Sequence, residues 1–396
     1  MKDTLIDYAA VAALRERPFD RPYKGLPADV STVDDLVGRQ VPRDGFLPPV
    51  AVLDWPAMAA NLDRYADFCA LRGLDFAPHV KTTMAPQIAA EQARRGAWGF
   101  TVATVAQARV LRAFGAQRLL IAHGAVDRAS VDWLAAEQEH AEVSVWVDSV
   151  ASVRALAGRE VPVFVELGRA GGRTGARGVD AALEVVRAIE ATAGPHLAGV
   201  AGYEGTYGQS RTAADVAAVR AYLRELARLA VTVDAPVVTA GGSAYPDLVA
   251  EELTALPGGV RKVLRSGAYV AHDHGHYAGL SPFPLEAAIR VWATVVSTPE
   301  AGLALLCAGK RDVAHDLSLP VPLTVLRDET YQPARALAVT DLNDQHAYVA
   351  DPDGELAVGD WVALGIDHPC TTFDKWAVLP LVDERGLVLD AVRTYF

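Results

Sequence analysis

Eight short apolar runs, most of them followed by a longer alanine-rich stretch, constrain this chain more than any other feature. They are Asp75–His79, Gly99–Ala103, Arg118–Ala122, Val143–Val147, Val161–Glu166, Leu197–Gly202, Pro236–Thr239 and Val260–Leu264. Helical patterning fills most of the gaps, over Pro86–Arg95, Val105–Phe114, Arg128–Glu139, Val179–Thr192 and Thr212–Ala230. Val143–Val147 and Val161–Val165 are continuously apolar rather than alternating, as parallel strands buried on both faces require. Eight strand–helix repeats point to an α/β fold whose sheet closes into a (β/α)8 TIM-type barrel. A doubly wound open sheet is the alternative, but no GxGxxG turn follows the early strands to support it.

A barrel of this kind takes roughly 250 residues, whereas the chain has 396. Residues 1–48, with Pro18, Pro22, Pro27 and Pro42, read as an N-terminal extension of one or two helices and an extended arm. Val50–Leu53 reads as a first strand with the helix Pro56–Leu71 behind it, which draws the barrel unit at 49–284. From 285 to 396 the pattern changes to short runs rich in Val, Ala, Leu and Trp. Turn signals such as Asp351-Pro352-Asp353-Gly354 separate them, the pattern of an antiparallel β domain.

The 37 basic and 49 acidic side chains leave a net charge of −12, and 51% of residues are hydrophobic. That balance excludes disorder as the main state and argues against a general nucleic-acid or anionic-membrane binder. Cys69, Cys307 and Cys370 are too scattered for a disulfide framework. The first residues hold no apolar core of signal-peptide type, and no apolar run reaches the roughly 18 residues of a membrane span. A cytoplasmic location is the expectation.

Barrel active sites lie at the C-terminal ends of the strands, with phosphate often held after strands 7 and 8. The first run ends in Pro78-His79-Val80-Lys81-Thr82, one of only six lysines in the chain. A lysine entering a barrel mouth loses solvent, which lowers its pKa and frees the amine for Schiff-base formation. The fifth run leads to Gly172-Arg173-Thr174-Gly175, the sixth to Gly202-Tyr203-Glu204-Gly205, the seventh to Gly241-Gly242-Ser243 and the eighth to Ser266-Gly267-Ala268-Tyr269. Small residues at the last two would let backbone N–H groups approach a phosphate.

In these five motifs, which fall in order over nearly the whole barrel, the sequence resembles the alanine-racemase-like (fold-type III) pyridoxal-phosphate enzymes. Within them it is similar to the D-threonine aldolase and D-serine dehydratase branch. The resemblance implies that Lys81 holds pyridoxal 5'-phosphate covalently and takes part in catalysis. It implies that His79, Arg173 and Tyr203 contact the cofactor and that Gly242, Ser243, Ser266, Gly267 and Tyr269 hold its phosphate.

The C-terminal region adds His368-Pro369-Cys370. An imidazole and a thiolate suit Zn2+, although two ligands alone do not make a site. The branch carries such a pair, so the resemblance implies a metal on His368 and Cys370, Zn2+ first and Mn2+ or another divalent ion as the alternative. Its His-x-Cys form is similar to the zinc-dependent D-serine dehydratases. Implied with it are a small D-amino acid substrate, a homodimer, and conversion of a β-hydroxy D-amino acid to a 2-oxo acid and ammonia. Three rival readings stay open: retro-aldol cleavage to glycine and an aldehyde, a non-catalytic pyridoxal-phosphate carrier, and a barrel enzyme without this cofactor. His272-Asp273-His274-Gly275-His276 reads either as a metal cluster, if alternate residues share one face, or as a polar loop beyond the eighth strand.

Overall fold

The computed structural model describes residues 4–396. Its first strand, β1 (Val50–Asp54), leads into the helix Trp55–Leu71, whose start is fixed by the Asp54 carboxylate accepting from the Ala57 N–H and by Pro56 in the first turn. The barrel strands follow: β2 (Asp75–Phe76), β3 (Phe100–Val102), β4 (Arg118–Ile121), β5 (Glu142–Val147), β6 (Pro162–Gly168), β8 (His196–Gly202), β9 (Val237–Ala240) and β10 (Arg261–Leu264). A two-residue β7 (Ala176–Arg177) lies beside β6. The sheet order is β2-β10-β9-β8-β6-β5-β4-β3, and every pairing in it is parallel.

The two ends of that order also meet. The N–H groups of Trp98 and Thr101 donate to the carbonyls of Phe76 (2.7 Å) and Pro78 (2.9 Å), and His79 bridges Thr101 in parallel register. Ala77, Leu120, Trp146, Phe164, Ala201 and Val263 pack together as a buried cluster, one from each of six strands or strand extensions. All eight sequence-predicted runs are therefore strands of one curled parallel sheet.

The second sheet is built mainly from the C-terminal region. Its strands are β11 (Ile289–Glu300), β12 (Leu303–Leu306), β13 (Val321–Arg327), β14 (Thr330–Pro333), β15 (Ala338–Leu342), β16 (Ala347–Ala350), β17 (Trp361–Gly365), β18 (Val378–Val382) and β19 (Val388–Arg393). All its pairings are antiparallel except one. The exception is β1, which lies antiparallel to β11 and parallel to β18. The boundary drawn at residue 49 had grouped Val50–Leu53 with the barrel. A run buried on both faces looks the same whichever sheet buries it, so the sequence pattern could not assign it.

The N-terminal extension joins both cores. Ile6, Val11 and Leu14 pack into the main cluster with the barrel helices, whereas Leu26, Val33, Leu36, Val41 and Phe46 pack with Val50, Trp292, Val378 and Val388 of the second sheet. Among the described residues, no helix is long and apolar enough to cross a membrane.

Candidate active site

At the C-terminal ends of the barrel strands, facing the second domain, lies a cavity of about 460 Å³. His79, Lys81, Arg173, Tyr203, Gly242, Ser243, Gly267, His368 and Cys370 all line it. Residues as far apart in the sequence as His79 and Cys370 are thus brought to one place.

Lys81 enters the cavity on a single 3-10 turn, Val80–Thr82, directly after the short β2. Burial lowers the pKa of its amine; Arg173 and Arg265 lower it further, while Cys370 opposes them. His79, two residues earlier, is held well below the usual imidazole range by burial and then by the charges of Lys81, Arg265 and Arg173. Its Nδ1 is buried without a hydrogen-bond partner.

Arg173 folds back from its loop so that its guanidinium carbon stands 4.5 Å from the centre of the Tyr203 ring. The loop is stapled by Arg177, which donates to the carbonyls of Gly172 (3.1 Å), Arg173, Thr174 (3.1 Å) and Gly175 (2.8 Å). Burial raises the Tyr203 hydroxyl to about 12, with Glu204 adding to the effect. Two glycines are obligatory for close packing here. A Cβ on Gly242 would sit 2.8 Å from the Tyr203 ring, and one on Gly267 would sit 2.7 Å from the His79 carbonyl.

From the second domain, His368 and Cys370 flank Pro369 just after β17. The neighbouring Cys370 thiol is the first cause raising His368 to about 9; Asp316 adds to it and burial opposes it. His368 Nδ1 lies 2.6 Å from Asp316 Oδ2, and Cys370 Sγ lies 3.3 Å from Thr82 Oγ1, beside Lys81.

Three of the expected phosphate contacts stand differently. Tyr269 is buried outside the cavity, its hydroxyl accepting from Gln92 Nε2 (3.1 Å) and its ring 4.1 Å from that of Tyr65. Ser266 is buried too, accepting from the Tyr65 hydroxyl (2.8 Å) and donating to the Gly242 carbonyl (2.6 Å), so it braces the neighbouring loop. Gly242 lines the cavity, but its N–H donates to Glu204 Oε1 (2.7 Å), as that of Gly241 does to Oε2 (3.0 Å). The His272–His276 segment is a polar loop. The His274 ring packs on Gly365, Asp273 accepts from the N–H groups of Gly275, Tyr277 and Ala278, and only His276 of the three imidazoles reaches the cavity. Among the described residues, no group of three or more His, Cys, Asp or Glu side chains could hold a metal.

The structure adds residues that the motifs had passed over. Arg265 is fully buried against the cavity, its Nε donating to Thr239 Oγ1 (2.8 Å), a further N–H donating to the Gly202 carbonyl, and its guanidinium 4.6 Å above Trp146. Burial brings it down to about 10, against the opposing pull of Glu204. Its signal was position alone, the first residue after β10. Glu204, His276 and Asp316 are the others; Glu204 and His276 lie inside stretches the sequence had singled out, and Asp316 does not.

The donor set fits both implied groups. Three basic side chains, Lys81, Arg173 and Arg265, line the cavity with no carboxylate among them, which suits a phosphate ester. Its volume lies in the range of small-molecule sites, and the buried Nδ1 of His79 and Nε1 of Trp146 lack partners within the protein. An imidazole and a thiol lining one cavity are donor types that Zn2+ selects.

This is the site of a fold-type III protein. The model "Alanine racemase, N-terminal domain" matches residues 53–248 and the model "Putative serine dehydratase domain" matches residues 288–382, so the chain is similar to the one over its barrel and to the other over its second domain. A D-threonine aldolase of Arthrobacter sp. is 27% identical over 361 residues, covering 86% of this chain and 90% of that protein. The D-threo-3-hydroxyaspartate dehydratase of Delftia sp. HT23 superposes with a TM-score of 0.75 at 25% identity, covering 88% and 98%. The D-threonine aldolase of Filomicrobium marinum superposes with a TM-score of 0.79 at 24% identity, covering 90% and 97%.

Proposed function

We propose that the chain is a pyridoxal-phosphate- and metal-dependent lyase acting on β-hydroxy D-amino acids. The reaction proposed is dehydratase-type: D-serine would give pyruvate and ammonia. The single observation that carries the reading is that Lys81 of the barrel and the His368/Cys370 pair of the second domain line one cavity.

Pyridoxal phosphate, when bound, supplies an electron sink next to the substrate Cα. Lys81 would hold it, and the Lys81 amine, whose pKa burial lowers, would be the base for the Cα proton. Arg173, Tyr203 and Arg265 would bound the ring, while Ser243 and the backbone at Gly267, which precedes the turn Ala268–Val270, would take the phosphate. His368 and Cys370 would hold the metal, whose Lewis acidity at the β-oxygen weakens the bond to be broken. Leu317 and Tyr277 line the cavity beside them.

Retro-aldol cleavage is the second reading, favoured by the near full-length similarity to the Arthrobacter aldolase. Incubation with D-serine, D-threonine and 3-hydroxy-D-aspartate, with and without chelator, separates the two. A 2-oxo acid with ammonia supports the dehydratase; glycine with an aldehyde replaces it by the aldolase. A colourless protein after reconstitution, or activity indifferent to chelation, overturns the reading.

A further inference from the structure

The metal reading leaves one polar contact unexplained: the carboxylate behind His368. Asp316 sits on the loop 307–320 between β12 and β13 and does not line the cavity. Its Oδ2 lies 2.6 Å from His368 Nδ1, and its Oδ1 accepts from the Thr371 hydroxyl at 2.7 Å. Both carboxylate oxygens are therefore engaged.

The rest of the loop is strapped to the same segment. Ala314 N–H donates to Thr372 Oγ1 (3.0 Å), and Ser318 N–H donates to the Asp367 carboxylate. Four residues before Asp316, the nearly inaccessible Asp312 accepts from Gly309 N–H (3.0 Å) and from Lys24 Nζ (2.9 Å) of the N-terminal extension. The loop is thus pinned at both ends while its middle grips the His-x-Cys turn.

A carboxylate is an acceptor only, so the proton of a neutral His368 ring lies on Nδ1 and the lone pair on Nε2. We infer that Asp316 is a positioning residue: it fixes the tautomer and orientation of His368 so that Nε2 serves as the metal donor. This inference rests on the reading of His368 and Cys370 as metal ligands. A carboxylate behind a ligating imidazole also raises its basicity, and losing such a partner typically weakens metal affinity by about 10–100-fold. Thr371 contributes more weakly, by holding the carboxylate still.

The test is Zn2+ affinity of the holoenzyme, measured by competition with a chromophoric chelator, alongside the cofactor absorbance. Asp316→Ala should weaken Zn2+ binding about 10–100-fold with the absorbance unchanged. Asp316→Asn should fall between it and the parent, and Thr371→Val should lose a few-fold. Excess Zn2+ should restore turnover in Asp316→Ala, which damage to the fold would not allow. An affinity within twofold of the parent in both Asp316→Ala and Asp316→Asn overturns the inference. If Asp316→Ala does not fold, Asp316→Asn and Thr371→Val decide it by the same criteria. Parent-like Zn2+ binding in His368→Ala and Cys370→Ala would instead overturn the metal reading itself.

Discussion

On the barrel wall of the cavity, Tyr203 and Arg265 each follow a strand by one residue and Lys81 stands on the turn after β2, whereas the facing wall pairs His368 with Asp316, 52 residues away. The first wall is local. Each group is placed by the C-terminal end of a strand that neighbouring strands hold rigid, so a short motif carries both the residue and its position. The second wall is assembled by loops, and its geometry depends on hydrogen bonds between them. Chemistry that must be held firmly sits on strand ends, while ligand geometry that needs adjustment is tuned by a second loop.

The largest effect expected is on the barrel wall. Lys81→Ala should abolish the cofactor colour and lower turnover by at least about 10²–10⁴-fold, the usual weight of a positioned acid–base group. Absorbance and steady-state kinetics on reconstituted protein check both. On the facing wall, His368→Ala or Cys370→Ala should keep the colour and lose about 10²–10⁴-fold in turnover, the equivalent of several kcal/mol of Lewis-acid stabilisation. If either variant also loses the colour, the two walls are not separable and the comparison fails.

Glu204→Gln sharpens the description of the barrel wall. A neutral amide can accept from only one of the Gly241 and Gly242 N–H groups and turns a donor towards the other. Denaturant unfolding should show a loss of about 1–3 kcal/mol, the penalty for one buried donor without a partner.

Two smaller effects follow from burial. The Lys81 pKa is lowered, so its neutral amine persists to lower pH than that of a solvated lysine and is lost as pH falls through the lowered value. Borohydride trapping of pyridoxal phosphate at decreasing pH should therefore retain label at Lys81 longest. Burial raises the Cys69 thiol to about 12, so no thiolate forms at pH 8. Alkylation of the native protein at that pH should leave Cys69 unmodified, and Zn2+ should protect Cys370.

Much of this was legible in the chain. The eight apolar runs specified the parallel strands because a strand buried on both faces has little freedom in composition. Lys81, Arg173, Tyr203 and the glycine loops were legible because each sits in a short motif at a strand end. Arg265 stands immediately before the Ser266-Gly267 loop, yet its role shows only in the depth at which Trp146 and Thr239 receive it. The Tyr269 hydroxyl misled for the converse reason, because Gln92 on a different helix captures it.

The amino-acid sequence by itself determined the βα repeat, the two-domain plan and the lysine and His-x-Cys pair, since these depend on local periodicity and on residue type. Only the tertiary structure decided that β1 crosses into the second sheet, that Glu204 takes the Gly241 and Gly242 N–H groups, and that Asp316 stands behind His368. Those facts are contacts between segments far apart in the chain, and hydrogen-bond direction across such distances leaves no trace in local pattern.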